Sequence, residues 1–140
     1  MFYYLVYVSS ATVPFSTKDL ADLLVVSRNN NSKLDVTGIL LYKEGNFLQL
    51  LEGDEKEVKK LYNKIELDVR HGGAIVLTDG YEDERQFPDW SMGFRNFNDP
   101  EVQALPGYNH FMNTQFTKEE FIDKPQEIRD LLNMFKQQLR

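Results

Sequence analysis

An α+β fold follows from three features of the sequence. Stretches with a period of two alternate with amphipathic stretches of helical period in the order β-α-β-β-α-β, and a fifth β-stretch comes after them. The two middle β-stretches, Val36 to Tyr42 and Phe47 to Glu52, are separated only by Lys43-Glu44-Gly45-Asn46, a hairpin connection with the glycine such turns favour. The first stretch, Phe2 to Val8, is apolar on both faces and therefore belongs in a sheet covered on both sides. This is the order of a ferredoxin-like sandwich, here with one extra strand.

Along the first strand, Tyr3, Leu5 and Tyr7 point one way and Phe2, Tyr4, Val6 and Val8 the other. Ser9 to Phe15, with Pro14, reads as a loop. Ser16 and Asp19 resemble a capping box with Asp in place of the usual Glu. A helix is expected from about Thr17 to Arg28, with a stripe of Leu20, Leu23, Leu24 and Ser27. Asn29-Asn30-Asn31-Ser32 should end it, because Asn tolerates the left-handed conformation of helix termini. After the hairpin, Asp54 caps a second expected helix, Glu55 to Arg70, with Glu57 as its box partner and Val58, Leu61, Tyr62, Ile65 and Val69 as its buried stripe.

His71-Gly72-Gly73 should stop that helix, and Ala74 to Thr78 is the next expected strand. Thr78 to Asp89 reads as a charged loop. Trp90 to Phe97 is the fifth strand, with Trp90, Met92 and Phe94 on one face. Asp99-Pro100 can start a short helix, and Pro125 a longer one carrying Ile128, Leu131, Leu132, Phe135 and Leu139. The expected organisation is one domain over residues 1–97 and a helical extension over 98–140 that covers the sheet's second face.

Composition removes several function classes. The net charge is −6 and no basic cluster exceeds Lys59-Lys60, so the footprint of a nucleic-acid binder is missing. No apolar run approaches a membrane span, and Met1-Phe2-Tyr3-Tyr4 lacks the charged start of a signal peptide, so a cytoplasmic location is expected. The absence of cysteine excludes disulfides, thiolate metal sites and cysteine adducts. Two scattered histidines, His71 and His110, speak against a zinc site. There is no Gly-rich phosphate loop, nucleophile elbow or HExxH sequence.

What carries chemistry is Asn46-Phe47-Leu48-Gln49-Leu50-Leu51-Glu52-Gly53, apolar enough for a central strand but with an amide in its middle. A buried amide without partners costs about 1–3 kcal/mol, so something must meet Gln49. In the ferredoxin-like order its strand lies beside the first one, which brings Tyr7 to it if both face the helices. Tyr7, Ser27, Asn30, Asn31, Gln49 and Ser91 form a set of uncharged polar groups among apolar ones, suited to a neutral, planar, hydrogen-bonding ligand. Taken singly, each has a plainer reading. Tyr7, Leu23, Ile65, Trp90 and Met92 would be ordinary core, Asn30 and Asn31 helix-terminating residues, and Arg70 and His71 cations at a helix end.

In register, however, these fragments resemble the BLUF family of flavin-binding blue-light sensors. The resemblance rests on Tyr7-Val8-Ser9-Ser10, Ser27-Arg28-Asn29-Asn30-Asn31, Thr37-Gly38-Ile39-Leu40, Phe47 to Gly53, Arg70-His71 and Phe87-Pro88-Asp89-Trp90-Ser91-Met92. It implies a noncovalently held flavin, FAD first, with FMN or riboflavin as alternatives. Tyr7 then matches the photoactive tyrosine that gives an electron and a proton, and Gln49 the glutamine that changes its hydrogen bonds afterwards. Asn31 matches the asparagine on the ring's polar edge, with Ser27 and Asn30 lining the same pocket. Leu23 and Ile65 match the pair that sandwiches the ring, the first more often isoleucine in the family. Arg70 and His71 match residues near the ribityl and phosphate portion, and Trp90 and Met92 the pair whose place in or out of the pocket varies. The resemblance further implies a non-enzymatic short sensor that signals to a downstream effector protein or through its own oligomer, a dimer or larger. The rivals are a ligand-free interaction module, an acylphosphatase-like hydrolase, for which Ser9 to Thr17 lacks the needed arginine, and an enzyme that turns over its flavin.

Overall fold

The computed structural model describes residues 1–43, 45–88 and 91–96, with Pro100 and Asp130, and the side chains of all these except Arg95 and Asn96. Strands β1 (Phe2–Ala11), β2 (Thr37–Lys43), β3 (Asn46–Gly53), β4 (His71–Glu82) and β5 (Gly93–Asn96) form a sheet in the order β4-β1-β3-β2-β5. Helices α1 (Thr17–Leu34) and α2 (Glu55–Glu66) are the crossovers, and the arrangement is the expected ferredoxin-like sandwich with an added strand. β3 is central and antiparallel to both β1 and β2, while β5 runs parallel to β2.

Alternation along the strands assigns the two faces. Tyr3, Leu5, Tyr7, Leu40, Tyr42, Phe47 and Leu51 pack with Leu20 and Leu24 of α1 and Val58, Leu61 and Tyr62 of α2. Val6, Val8, Ile39, Leu41, Leu48 and Leu50 point the other way and are at most 1% exposed, so the second face is as dry as the first. The C-terminal helices expected to cover it lie outside the described residues. Gly38 of β2 is forced to be glycine by close approach, because a Cβ there would stand 1.9 Å from the Leu50 carbonyl oxygen of β3.

Several boundaries differ from the sequence-based expectation, each for a local reason. α1 begins with the full Ser16–Asp19 capping box, but it runs on through the asparagines to Leu34. The left-handed terminal position is taken by Asp35, at φ 54°, which frees the asparagine side chains for other uses. At Asp54 only half of the expected box forms: its carboxylate accepts from the Glu57 amide at 3.4 Å, while Glu57 Oε2 is buried without a partner. α2 stops at Glu66 rather than Arg70, because the Asp68 carboxylate accepts from both the Arg70 amide, at 2.9 Å, and its guanidinium, at 2.6 Å, and so closes a turn. Val69, expected in the buried stripe, is 85% exposed as a result.

β4 is twelve residues long and takes in much of what reads as a charged loop. It pairs with β1 from Phe2↔Glu82 to Ala11↔His71, with register shifts at Val6/Tyr7 and Val8/Ser10. Its acidic residues are tolerated because it is an edge strand with one side open to water. β5 starts later than expected, at Gly93, and Trp90 lies outside the described residues.

Candidate functional site: a cleft between the helices and the central strands

Gln49 is 5% exposed and is flanked by Tyr7 of β1 and Leu40 of β2, its direct cross-strand neighbours on the helix face. The Tyr7 hydroxyl donates to Gln49 Oε1, and Gln49 Nε2 donates to Met92 Sδ at 3.3 Å. Both ends of the amide are therefore engaged. The Tyr7 ring meets Tyr62 of α2 edge-on, with centroids 5.2 Å apart. Burial pushes the Tyr7 phenol well above its ordinary pKa, and nearby Tyr62 and Asp68 push the same way, so it holds its proton at every physiological pH.

Two adjoining clefts, both open to solvent, lie beside this pair. Both touch Leu23 and Ser27 of α1, Gln49 of β3, Ile65 of α2, and Asp68 and Arg70 of the turn after it. The first also touches Tyr7 and His71, and the second Asn30 and Asn31. Of the described residues that the sequence nominates for the pocket, the fold thus brings together all but Ser91 and Met92, while Trp90 lies outside the described residues. Met92 lines neither space but bears on them through Gln49. Asn31, 2% exposed, spends its Nδ2 on the Ser91 carbonyl at 2.8 Å.

Residues that sequence reasoning missed at the first of these clefts are Ser9, Phe15, Leu40, Phe47 and Asp68, and at the second Val26, Leu61, Lys64 and Leu67. Phe47 and Leu40 were within reach of a register argument, since both share the Gln49 face. Asp68 was hidden by reading α2 four residues too far, to Arg70 instead of Glu66. Among the described residues no cluster of potential ligands could hold a metal ion, and no helix is long and apolar enough to cross a membrane.

The comparisons with known proteins fall on this same region. The family profile described as BLUF, sensors of blue-light using FAD, matches residues 2–93. The chain belongs to the BLUF family.

Among relatives of this BLUF protein, the photoactivated adenylate cyclase subunit beta of Euglena longa is 37% identical over 89 residues, which cover 63% of this chain and 10% of that protein. The blue light- and temperature-regulated antirepressor BluF of Escherichia coli strain K12 is 39% identical over 70 residues, 50% of this chain and 17% of that protein. The chain thus spans only a small part of the length of these relatives. The dark-state structure of the BLUF protein BlrB superposes with a TM-score of 0.81 at 26% identity, over 96% of this chain and 95% of that one.

BLUF domains bind flavin, and the cleft can be tested for it directly. His71 Nε2 is 2.6 Å from the Ile65 carbonyl, which can only accept, so the ring proton is on Nε2. Nδ1 is buried and unpartnered, on a residue that lines the cleft. Apolar walls from Leu23 and Ile65, an amide edge from Gln49 and Asn31, and a ring nitrogen of His71 left for a polar group of the ligand make a set that fits a flavin.

Proposed function

We propose that this BLUF domain works as a blue-light switch in which Tyr7 and Gln49 are the responding residues. The observation that carries the reading is the buried hydrogen bond from the Tyr7 hydroxyl to Gln49 Oε1 beside an apolar cleft. A bound flavin supplies absorption of blue light and an excited state able to take an electron. Tyr7 is the donor in contact with the site, and its phenolic proton already has a path to Gln49 Oε1. A glutamine side chain has one donor end and one acceptor end, so a rotated or tautomeric amide presents the reverse pattern to its neighbours. Gln49 passes that reversal to Met92 through Nε2, and Met92 leads directly into β5.

FAD is the proposed flavin. Leu23 and Ile65 would hold the ring, Gln49, Asn30 and Asn31 its polar edge, with Ser27 beside them, and Arg70 and His71 the chain beyond it. The domain is proposed to be a sensor without catalytic activity of its own, located in the cytoplasm. It would act on an effector protein or through a homo-oligomer, a reading supported by relatives named as a photoactivated adenylate cyclase subunit and a blue light-regulated antirepressor. The decisive experiment is an absorption spectrum of the purified protein before and after blue light. A flavin spectrum that moves to longer wavelength and recovers in the dark is expected, whereas a colourless protein purified with ample flavin would overturn the reading.

A further inference from the structure

On the opposite face of β3 from Gln49, a second polar side chain is buried without a part in the photochemistry. Glu52 has no exposed surface. Its Oε1 accepts from the Phe87 amide at 2.7 Å and from the Thr37 hydroxyl at 3.1 Å, and its Oε2 from the Gln86 amide at 2.8 Å. A buried carboxylate is costly unless hydrogen bonds meet it, and here three donors do. Arg85 reinforces the attachment. Its guanidinium donates to Thr37 Oγ1 at 2.9 Å and to the Asp35 carbonyl at 2.8 Å, and it lies over the Phe2 ring.

The chain fixed in this way reaches the photoactive pair within a few residues. Met92 receives the Gln49 amide on its sulfur, its carbonyl accepts from Arg28 Nε at 3.0 Å, and the preceding Ser91 carbonyl accepts from Asn31. β3 therefore holds this stretch twice, by Glu52 on one face and by Gln49 on the other. The two attachments differ in strength. A carboxylate bonded to two consecutive main-chain amides fixes position and direction, whereas an amide-to-thioether bond is weak and readily broken.

We infer that Glu52 is a positioning residue: it anchors the backbone at Gln86 and Phe87, so that Met92 meets the Gln49 amide from a fixed point and yields at its own end when that amide rearranges. This rests on the photosensor reading given above. Amide hydrogen exchange of the flavin-loaded wild-type protein, in the dark and under blue light, tests it. The Gln86 and Phe87 amides are expected to stay slow in both states while those of Met92 to Phe94 change. Equal loss of protection at both places under light would overturn the anchor. In Glu52→Gln, flavin content and the light-induced shift should persist, but the dark return should be about fivefold faster, the weight of one lost hydrogen bond. Ser16→Ala, which only removes a helix cap, should return at the wild-type rate. An unchanged rate in Glu52→Gln, or an equal acceleration in Ser16→Ala, would overturn the assignment. A wild-type protein that binds flavin without any reversible shift would defeat the photosensor reading and this one with it, whereas a normal wild-type shift with a mobile Gln86–Phe87 backbone defeats this one alone.

Discussion

Tyr7 and Gln49 are direct partners in the antiparallel pairing of β1 with β3, and the hydroxyl of the first donates to the amide oxygen of the second. Sheet register, rather than a flexible loop, sets their separation. Both residues are almost wholly buried, so water does not compete for the bond.

Tyr7→Phe should keep the flavin and lose the reversible light-induced shift. The change leaves Gln49 Oε1 without its donor, at a cost of about 1–3 kcal/mol in folding stability. Difference spectroscopy and urea denaturation check the two halves; a variant that still shifts reversibly would remove Tyr7 from the donor role.

Met92→Leu conserves volume and should cost less than about 1.5 kcal/mol. It deprives Gln49 Nε2 of its acceptor, so the resting flavin spectrum and the rate of dark return should both change. If both stay at wild-type values, the sulfur contact has no bearing on the photocycle.

Gly38→Ala should be among the most damaging single-methyl additions in the sheet. Its new Cβ would meet backbone rather than a side chain that can turn away, and a loss of about 3 kcal/mol or more is expected. Thermal unfolding measures this, and a midpoint within a degree of wild type would contradict the close approach of β2 and β3.

Asp68 shows a pH dependence of definite sign. Hydrogen bonds from Arg70 hold its carboxyl down at about 2, below the ordinary range near 3.9. A depressed folded pKa stabilises fully above the unfolded value and is lost as pH falls towards 2. Asp68→Asn should therefore cost about 1 kcal/mol or less at pH 7, as expected for a largely solvated pair, and the difference from wild type should vanish on acidification. Denaturation curves from pH 7 to pH 2 would show it, and a gap that widens in acid would be inconsistent with the Arg70 pairing.

The sandwich and the Tyr7–Gln49 meeting were legible because both rest on strand alternation and on a short hairpin, signals that local sequence carries. Element ends were not. Asn29 to Asn31 look like a helix terminus, yet Asp35 takes the left-handed position and the helix continues. Asp68 ends α2 by a side-chain bond to a residue that itself looked helical. β4 was cut short because Asp79 and Glu82 suggest a loop until the open edge of the sheet explains them. Glu52 stood in plain view in an apolar strand, but its partners are amides of a distant segment, which no periodicity reveals.

The dryness of both sides of β3 has a mechanical consequence. Sliding this strand by one position would turn Leu48 or Leu50 towards the phenol and drive Gln49 into the waterless layer opposite, with Glu52 torn from its amides. The central ribbon is thereby locked along its own axis. A change at Tyr7 and Gln49 is then passed on by the side chains that β3 carries, to segments beside it, while β3 itself keeps its place.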